Sequence, residues 1–493
     1  MLKHQLLEVL RTFTDHEKKR FGKFLNSAYF NKSPKIIRLF NILRKFHPNY
    51  DNKKITKMYI YKKLDYGLAF NDSTIRNLLY DLQVIAETYL KIKNMEFFLV
   101  ESNVLQRNEF KKRELDMLYQ INLENSNLIM AKRTYNDSQN IMNRFRLDTD
   151  QFYFDLNQKN IDSENFGKNA DKLKNGIIHL VNYFVVEFIK HNETLLSTAR
   201  SFKSKQKEQY AHDFLKVIDV EKLTEYVKKY SPGGFVAEVY LKLLKAFMNF
   251  NNERNYTDLF NAVTKYSKKL YADDNKYFFS KMAAYNRIKA SSAKSPNKYD
   301  AELFKLYEIM LKNSIYPADC YGNIKLDAYK EIMELAIKLK KLQWLQQFIS
   351  DFKNKIYYIY KRDINFFSLA VLNNEKGKYK EAFDQLGKVS LDDFMYELEA
   401  RGLMVKLAYH AGNMETTQRM IDGYNNYLFR HRKMSDREKS SHENYVDFMQ
   451  LLLNYKKGDD RFDINLIKKK ITNASNVLYK GWLLSKAVGL SKR

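Results

Sequence analysis

An all-α fold is what this sequence predicts: a helical-hairpin repeat array, an α-solenoid, carried behind an N-terminal helical module. Three observations predict it. The first is a shortage of chain breakers. Average usage of about 5% would put roughly 25 prolines in a chain this long. It has 5, with 15 glycines among 493 residues, so long helices joined by short polar turns are favoured over a turn-rich β fold. The second is a turn that returns at a fixed step. In Gly377-Lys378-Tyr379-Lys380-Glu381-Ala382-Phe383 a glycine breaks an apolar-periodic stretch, an aromatic follows two residues on, and a small residue sits three beyond that. Gly412-Asn413-Met414-Glu415-Thr416-Thr417 repeats the arrangement and Leu342-Gln343-Trp344-Leu345 is a degenerate copy, so positions 342, 377 and 412 are each 35 residues apart. A hairpin that short buries its apolar face only against its neighbours. The third is length, which exceeds what a single core supports and implies several domains or one array.

The N-terminal module, residues 1–95, reads as four or five short helices. Thr14-Asp15-His16-Glu17 is a capping box, Thr14 receiving an orphan N–H and Glu17 reaching back. Phe21, Phe24 and Leu25 then share one face, opposite Lys18, Lys19 and Lys23. The stretch through Ser33-Pro34 ends that helix, His47-Pro48-Asn49-Tyr50 ends the next, a further helix follows Ile55-Thr56-Lys57 to about Leu64, and after a loop Asn71-Asp72-Ser73 caps an amphipathic helix with Ile75, Leu78, Leu79, Leu82, Ile85, Ala86, Tyr89 and Leu90 inward.

The middle region, residues 96–235, is read as a helix pair of low hydrophobic contrast, Phe97–Leu123 and Asn125–Met142, followed by an irregular solvated stretch from Asp148 to Lys168. Helices from Asp171 to Phe202 and from Glu208 to Tyr230 come next, and Ser231-Pro232-Gly233-Gly234 is the clearest break in the chain. Residues 236–493 carry the hairpin rhythm, loose at first and tighter toward the end. A basic link containing Arg430, Arg432, Lys433, Arg437 and Lys439 leads to a helix over Ser441–Tyr455. A final helix, Ile464–Leu484, carries Trp482 and is predicted to cap the exposed end of the stack.

The net charge is +27, and residues 1–98 hold 19 Lys and Arg against 9 Asp and Glu. Two readings fit this: the Lys- and Asn-rich composition of an AT-rich genome, or a basic patch for nucleic acid or an acidic partner. In the second, the loop and capped helix at 57–90 outline a helix-turn-helix reader, whose contacts would be Lys18, Lys19, Lys23, Ser73, Thr74, Arg76 and Asn77. The 36 Tyr and 34 Phe read as wedges between helices rather than a stacking surface for bases.

Motifs for chemistry are missing. There is no Gly-rich phosphate loop, Gly-x-Ser-x-Gly elbow, His-Glu-x-x-His or paired-cysteine zinc spacing. His431, His442 and Glu443 do not make a ligand set on a helix, and the acidic residues Asp148, Asp150, Asp155, Asp162 and Glu164 lack the stepped ligands of a calcium loop. His410 reads as a hairpin-turn residue, and Cys320, the one cysteine, has no basic neighbour to activate it. A non-enzyme is expected, with no catalytic, cofactor or metal site. The start of the chain, interrupted by Lys3, Glu8 and Arg11, is no signal peptide. Gly176–Ile189, the most apolar stretch, is interrupted by His179, Asn182 and Glu187 and is too short to span a bilayer. A cytoplasmic protein without membrane insertion is the expectation.

Several stretches together resemble a family of all-helical proteins of similar length from Bacteroidota-type bacteria: Leu25-Asn26-Ser27-Ala28-Tyr29-Phe30-Asn31-Lys32, Phe46-His47-Pro48, Ser73-Thr74-Ile75-Arg76-Asn77-Leu78 and Lys480-Gly481-Trp482-Leu483-Leu484. That family's loop usually reads Ser-Pro-Tyr-Phe-Asn, and here Ala28 replaces the proline. The matching positions are turns, caps and core, so the resemblance implies a repeat-containing fold and transfers no catalytic residue. Residues 342–427 separately resemble tetratricopeptide repeats, whose groove takes peptides or helices. The function expected is a scaffold or adaptor that binds a protein partner through the groove; the alternative is a nucleic-acid-associated factor using the basic N-terminal module.

Overall fold

Every regular element among the described residues is a helix; no β-strand is present, and one antiparallel β-bridge joins Ala318 and Ile324. The computed structural model describes residues 4–48, 50, 55–65, 67, 69–133, 137–157, 163–201, 204–231, 234–293, 296–319, 321–390, 394–430, 436–458 and 463–491. Asn49, Asp162, Pro232, Gly233, Cys320, His431, Arg432 and Lys433 therefore lie outside the described residues. The chain divides into two units, residues 1–245 with 268–270 and residues 246–267 with 271–493.

The first unit begins with α1 (Gln5–Arg11), α2 (Asp15–Leu25), α3 (Pro34–Leu43), α4 (Lys57–Lys63) and α5 (Asp72–Met95). Their starts are local. Glu17 N donates to Thr14 Oγ1 at 3.2 Å while Thr14 N donates to Glu17 Oε2 at 2.7 Å, the capping box expected there. Thr56 caps α4, and Asn71 caps α5 by accepting the N–H groups of Ser73 and Thr74. Leu6, Leu10, Phe21, Phe40, Leu79, Leu82 and their neighbours form one apolar core. Phe13, Phe21 and Phe24 all lean on the Tyr89 ring, with centroids 5.3–5.7 Å apart. Ion pairs Arg20–Glu96 and Lys93–Glu17 bind α2 to the far end of α5.

Beyond it stand α6 (Leu99–Lys112), α7 (Asp116–Ala131), α8 (Ser138–Asn157), α9 (Ser163–Ser201), α10 (Lys205–Val217) and α11 (Val220–Tyr230). Two expectations are corrected here. The hairpin turn falls at 113–115, inside the segment read as one helix from Phe97 to Leu123, because Glu114 adopts a left-handed φ of 54°. Asp148, Asp150 and Asp155 lie on α8 rather than in an irregular stretch, because each acidic side chain faces a basic or polar group across or along the helices: Asp148 meets His179, Asp150 meets Arg107, and Asp155 meets Lys172 and Gln151.

The low contrast of α6 and α7 has a structural cause: the faces they turn to each other are polar. Arg107 is 1% exposed and spends its guanidinium on Asp150 Oδ2 (2.8 and 3.2 Å), Asn122 Oδ1 (3.0 Å) and Ser126 Oγ (3.0 Å). Asn103 also donates to Ser126 and Asn122 to Gln106, so these particular side chains satisfy one another. Only a small apolar cluster of Val100, Leu123, Met130 and Leu147 sits beside them.

α12 (Phe235–Met248) runs through residue 245, where the division falls. The second unit continues with α13 (Glu253–Tyr266), α14 (Ala272–Ser292), α15 (Asn297–Lys312), α16 (Leu326–Lys338), α17 (Leu342–Phe352), α18 (Lys361–Glu375), α19 (Tyr379–Leu386), α20 (Phe394–His410), α21 (Met414–Arg430), α22 (Asp436–Lys456), α23 (Ile464–Asn473) and α24 (Lys480–Leu490). From α13 on, each helix packs on its neighbour in sequence, and α18 also touches α20 and α22 touches α24. That is the packing of a helical array. The single terminal helix expected over 464–484 is two, α23 and α24, because the chain leaves the helix at Ala474 and re-enters it at Tyr479 with φ 52°.

Gly377 and Gly412, with φ of 75° and 76°, are the left-handed residues that stop α18 and α20. Around Gly377 the N–H of Lys378 bonds to Asn373 O at 2.8 Å and that of Gly377 to Asn374 O at 3.1 Å, the paired bonds of a Schellman turn. The same pair recurs around Lys340, where Lys341 N bonds to Ala336 O and Lys340 N to Ile337 O. The residue equivalent to Gly377 is thus Lys340, and the steps between these turns are 37 and 35 residues rather than 35 twice.

Candidate partner-binding cleft

The C-terminal hairpins are tied together through aromatic side chains. Tyr379 opens α19 and stacks on His410 at the end of α20, with ring centroids 4.0 Å apart. His410 Nε2 accepts the indole N–H of Trp482 at 2.9 Å, and Tyr409 meets Trp482 edge-on at 5.8 Å. Burial, reinforced by the charges of Lys486 and Lys406, holds the His410 imidazole down to about 4, so at neutral pH it is an uncharged acceptor. Lys406 is itself buried, its ammonium 4.9 Å from the Tyr479 ring centre and 5.7 Å from that of Trp482. Ala382 is fully buried on α19, and Met414 packs on the terminal core. Trp344, on α17, meets Phe304 edge-on at 4.7 Å and stacks with Phe348. Of the residues expected at the repeat turns, Trp344, Tyr379, Ala382 and Met414 are thus packing groups while Gly377 and Gly412 stand in the turns, and Trp482 joins α24 to α20.

Between α19, α20 and α21 lies a cleft of about 260 Å3. Leu386, Val389, Ala400, Met404 and Met420 give it an apolar floor, and Gly423 leaves one wall low. Glu397, Arg401 and Arg419 stand at its rim. Arg401 pairs with Glu397 at 2.8 Å one turn away and lies 4.5 Å over the Tyr427 ring. Arg419 is exposed and bonds to Thr416 Oγ1 at 3.2 Å. None of these rim and floor residues stands out in the sequence. The usable signal is the pairing of methionines and arginines, Met404 with Arg401 and Met420 with Arg419, on successive helices that each turn an apolar face to the same neighbour. Methionine adapts its shape to different apolar groups and arginine offers several donors to a carboxylate.

The N-terminal candidates for nucleic acid are dispersed differently. Lys18 is held by Asp15 at 2.6 Å and by His47 Nδ1 at 2.8 Å, and His47 Nε2 donates to Phe13 O, which fixes its tautomer. Arg76 pairs with Asp72, and Ser73 Oγ donates to the capping Asn71, with Thr74 N also directed at that cap. Lys19, Lys23 and Asn77 are exposed. Among the described residues no hydrogen bond or ion pair joins Lys18, Lys19 or Lys23 to Ser73, Thr74, Arg76 or Asn77.

Among the described residues no group of three or more His, Cys, Asp or Glu side chains stands close enough to hold a metal ion, and no helix is long and apolar enough to cross a membrane. Compared with models of protein families, with curated proteins and with solved structures, the chain matches none.

Proposed function

We propose that this chain is a non-enzymatic helical-repeat scaffold of tetratricopeptide-like, α-solenoid type, one of the all-helical Bacteroidota-type family it resembles, and that it holds an acidic segment of a protein partner. The observation that carries the reading is the methionine-floored cleft between α19, α20 and α21, with Arg401 and Arg419 at its edge. A leucine or aromatic side chain of the partner enters between Met404 and Met420, and an adjacent carboxylate meets Arg419. Bidentate arginine contacts supply orientation, while the apolar insertion supplies most of the affinity. The basic excess of +27 favours acidic partners over basic ones and accelerates their encounter.

Selection of a random peptide library on the intact protein tests this. Enriched peptides are expected to pair an apolar anchor with Asp or Glu, and their binding is expected to be lost in Arg419→Glu and in Met404→Glu. Peptides without acidic bias, or equal binding by both variants, would overturn the proposal. A parallel titration with duplex DNA and with RNA at low salt separates the nucleic-acid reading: steeply salt-dependent binding lost on replacing Lys19 and Lys23 by Glu would favour that reading instead.

A further inference from the structure

We infer that the first unit contains a binding site for a small organic anion, an acid group carried on an apolar body. A cavity of about 380 Å3 opens between α8, α9 and the turn that leads into α12. Ile141 and Arg144 line it from α8, Asn175, Ile178, His179 and Asn182 from α9, and Tyr230, Ser231, Gly234, Val236 and Ala237 from the turn and its flanks. Asn175, His179 and Asn182 follow the spacing i, i+4, i+7, so one helical face presents three polar groups to the cavity, two of them inside the most apolar stretch of the chain.

The two inward-facing arginines of α6 and α8 differ in what they bind. Arg107 is fully committed to Asp150, Asn122 and Ser126. Arg144, half-buried on the cavity wall, has one long hydrogen bond among the described residues, to Met130 O at 3.5 Å, and its charge also acts on the Asp148 carboxylate one turn along α8. A guanidinium has five N–H donors in a fork that matches a carboxylate or phosphate, and Arg144 lines the cavity with one of them hydrogen-bonded among the described residues. Asp148, one turn further along α8, does not line the cavity; it faces His179 Nε2 at 3.5 Å and abuts Gly176 of α9. Burial lowers the His179 imidazole to about 4, with Arg144 acting in the same direction, and raises the Asp148 carboxyl to about 6. At neutral pH their contact therefore joins an uncharged ring to a carboxylate.

Hydrogen bonds tie α9 to Ser231 on the far wall. Asn182, 5% exposed, exchanges hydrogen bonds with Ser231 at 3.0 and 3.1 Å. Gly234 N bonds to Ser231 O at 2.7 Å, and a Cβ at Gly234 would stand 2.6 Å from that of Ser231, so this approach leaves no room for a side chain at Gly234. The acid group of the ligand takes Arg144 and Asn175, and its body lies along Ile141, Ile178 and Val236.

The test uses the intact protein with three probes of similar shape: phenyl phosphate, benzoate and benzyl alcohol. Calorimetry and thermal shift are expected to show that one or both acids bind, that the alcohol does not, and that Arg144→Gln weakens binding at least about tenfold with an unchanged circular dichroism spectrum. Asn175→Ala, at an exposed position on the rim, is expected to weaken it several-fold without touching the core. Failure of both acids to bind, equal binding of the alcohol, or affinity unaltered by Arg144→Gln and Asn175→Ala would each overturn the inference.

Discussion

Trp482 donates its indole N–H to His410 Nε2 at 2.9 Å, joining residues 72 apart in sequence. The bond requires the Nε2 of His410 to be unprotonated, which makes the docking of α24 on α20 sensitive to acid. The folded-state imidazole is held to about 4, against 6.5 for the free side chain. Between those values the unfolded chain binds a proton that the folded chain does not, so stability from this group is complete above about pH 7 and is lost as pH falls from about 6.5 toward about 4. With partial exposure discounting the full effect, the loss from pH 7 to pH 5 is expected to be on the order of 1–2 kcal/mol. Urea unfolding at the two pH values, compared with His410→Asn, measures it; an equal loss in the variant would assign the effect to other groups.

Trp482→Ala removes the same contact together with its packing on Tyr409. A cost of about 3 kcal/mol is expected, the low end for a tryptophan because the indole is only partly buried. Trp482→Phe should keep most of the packing and lose about 1 kcal/mol with the hydrogen bond. Equilibrium unfolding of both variants checks the order; no effect in either would mean that α24 is undocked.

Arg107→Leu leaves Asp150 and Asn122 Oδ1 without the guanidinium donors and Ser126 with Asn103 as its donor. Breaking a buried pair from one side costs about 3–5 kcal/mol. The loss should be visible as early amide exchange in α6 and α7, and protection equal to wild type would show that water replaces the guanidinium at little cost.

The hairpin turns allow a paired test. At Gly377 a Cβ would meet nothing within 4 Å, so Gly377→Ala carries only the left-handed backbone penalty, about 1 kcal/mol. Lys340→Gly relieves the same strain at the equivalent position and should stabilise by up to about 1 kcal/mol, reduced by the entropy that glycine adds to the unfolded chain. Opposite signs in denaturation midpoints are expected; like signs would show that the two turns are not equivalent.

Ala382 is fully buried on α19, which packs on α18 and α20. Ala382→Leu overfills that contact and should cost about 1–3 kcal/mol in a melting experiment. An unchanged midpoint would place the side chain outside the packed interface.

Helix content, the caps at Thr14 and Asn71, the breaks at Gly377 and Gly412 and the apolar stripe of α5 were all present in the order of residues, because each depends on groups within about four positions of one another. The turns at Glu114 and Lys340 were hidden for the complementary reason: they place residues other than glycine in a left-handed conformation that surrounding helix packing enforces. The polar faces of α6 and α7 looked like weak amphipathicity until Arg107 met partners 15, 19 and 43 residues away. Likewise Arg401, Met404, Arg419 and Met420 were unremarkable one by one, and became a cleft only when three helices enclosed them. Backbone hydrogen bonds along a helix are satisfied by near neighbours, so the order of residues suffices to place them. What a side chain meets beyond its own helix depends on how separate helices pack, and a single chain read in order contains no direct record of that geometry.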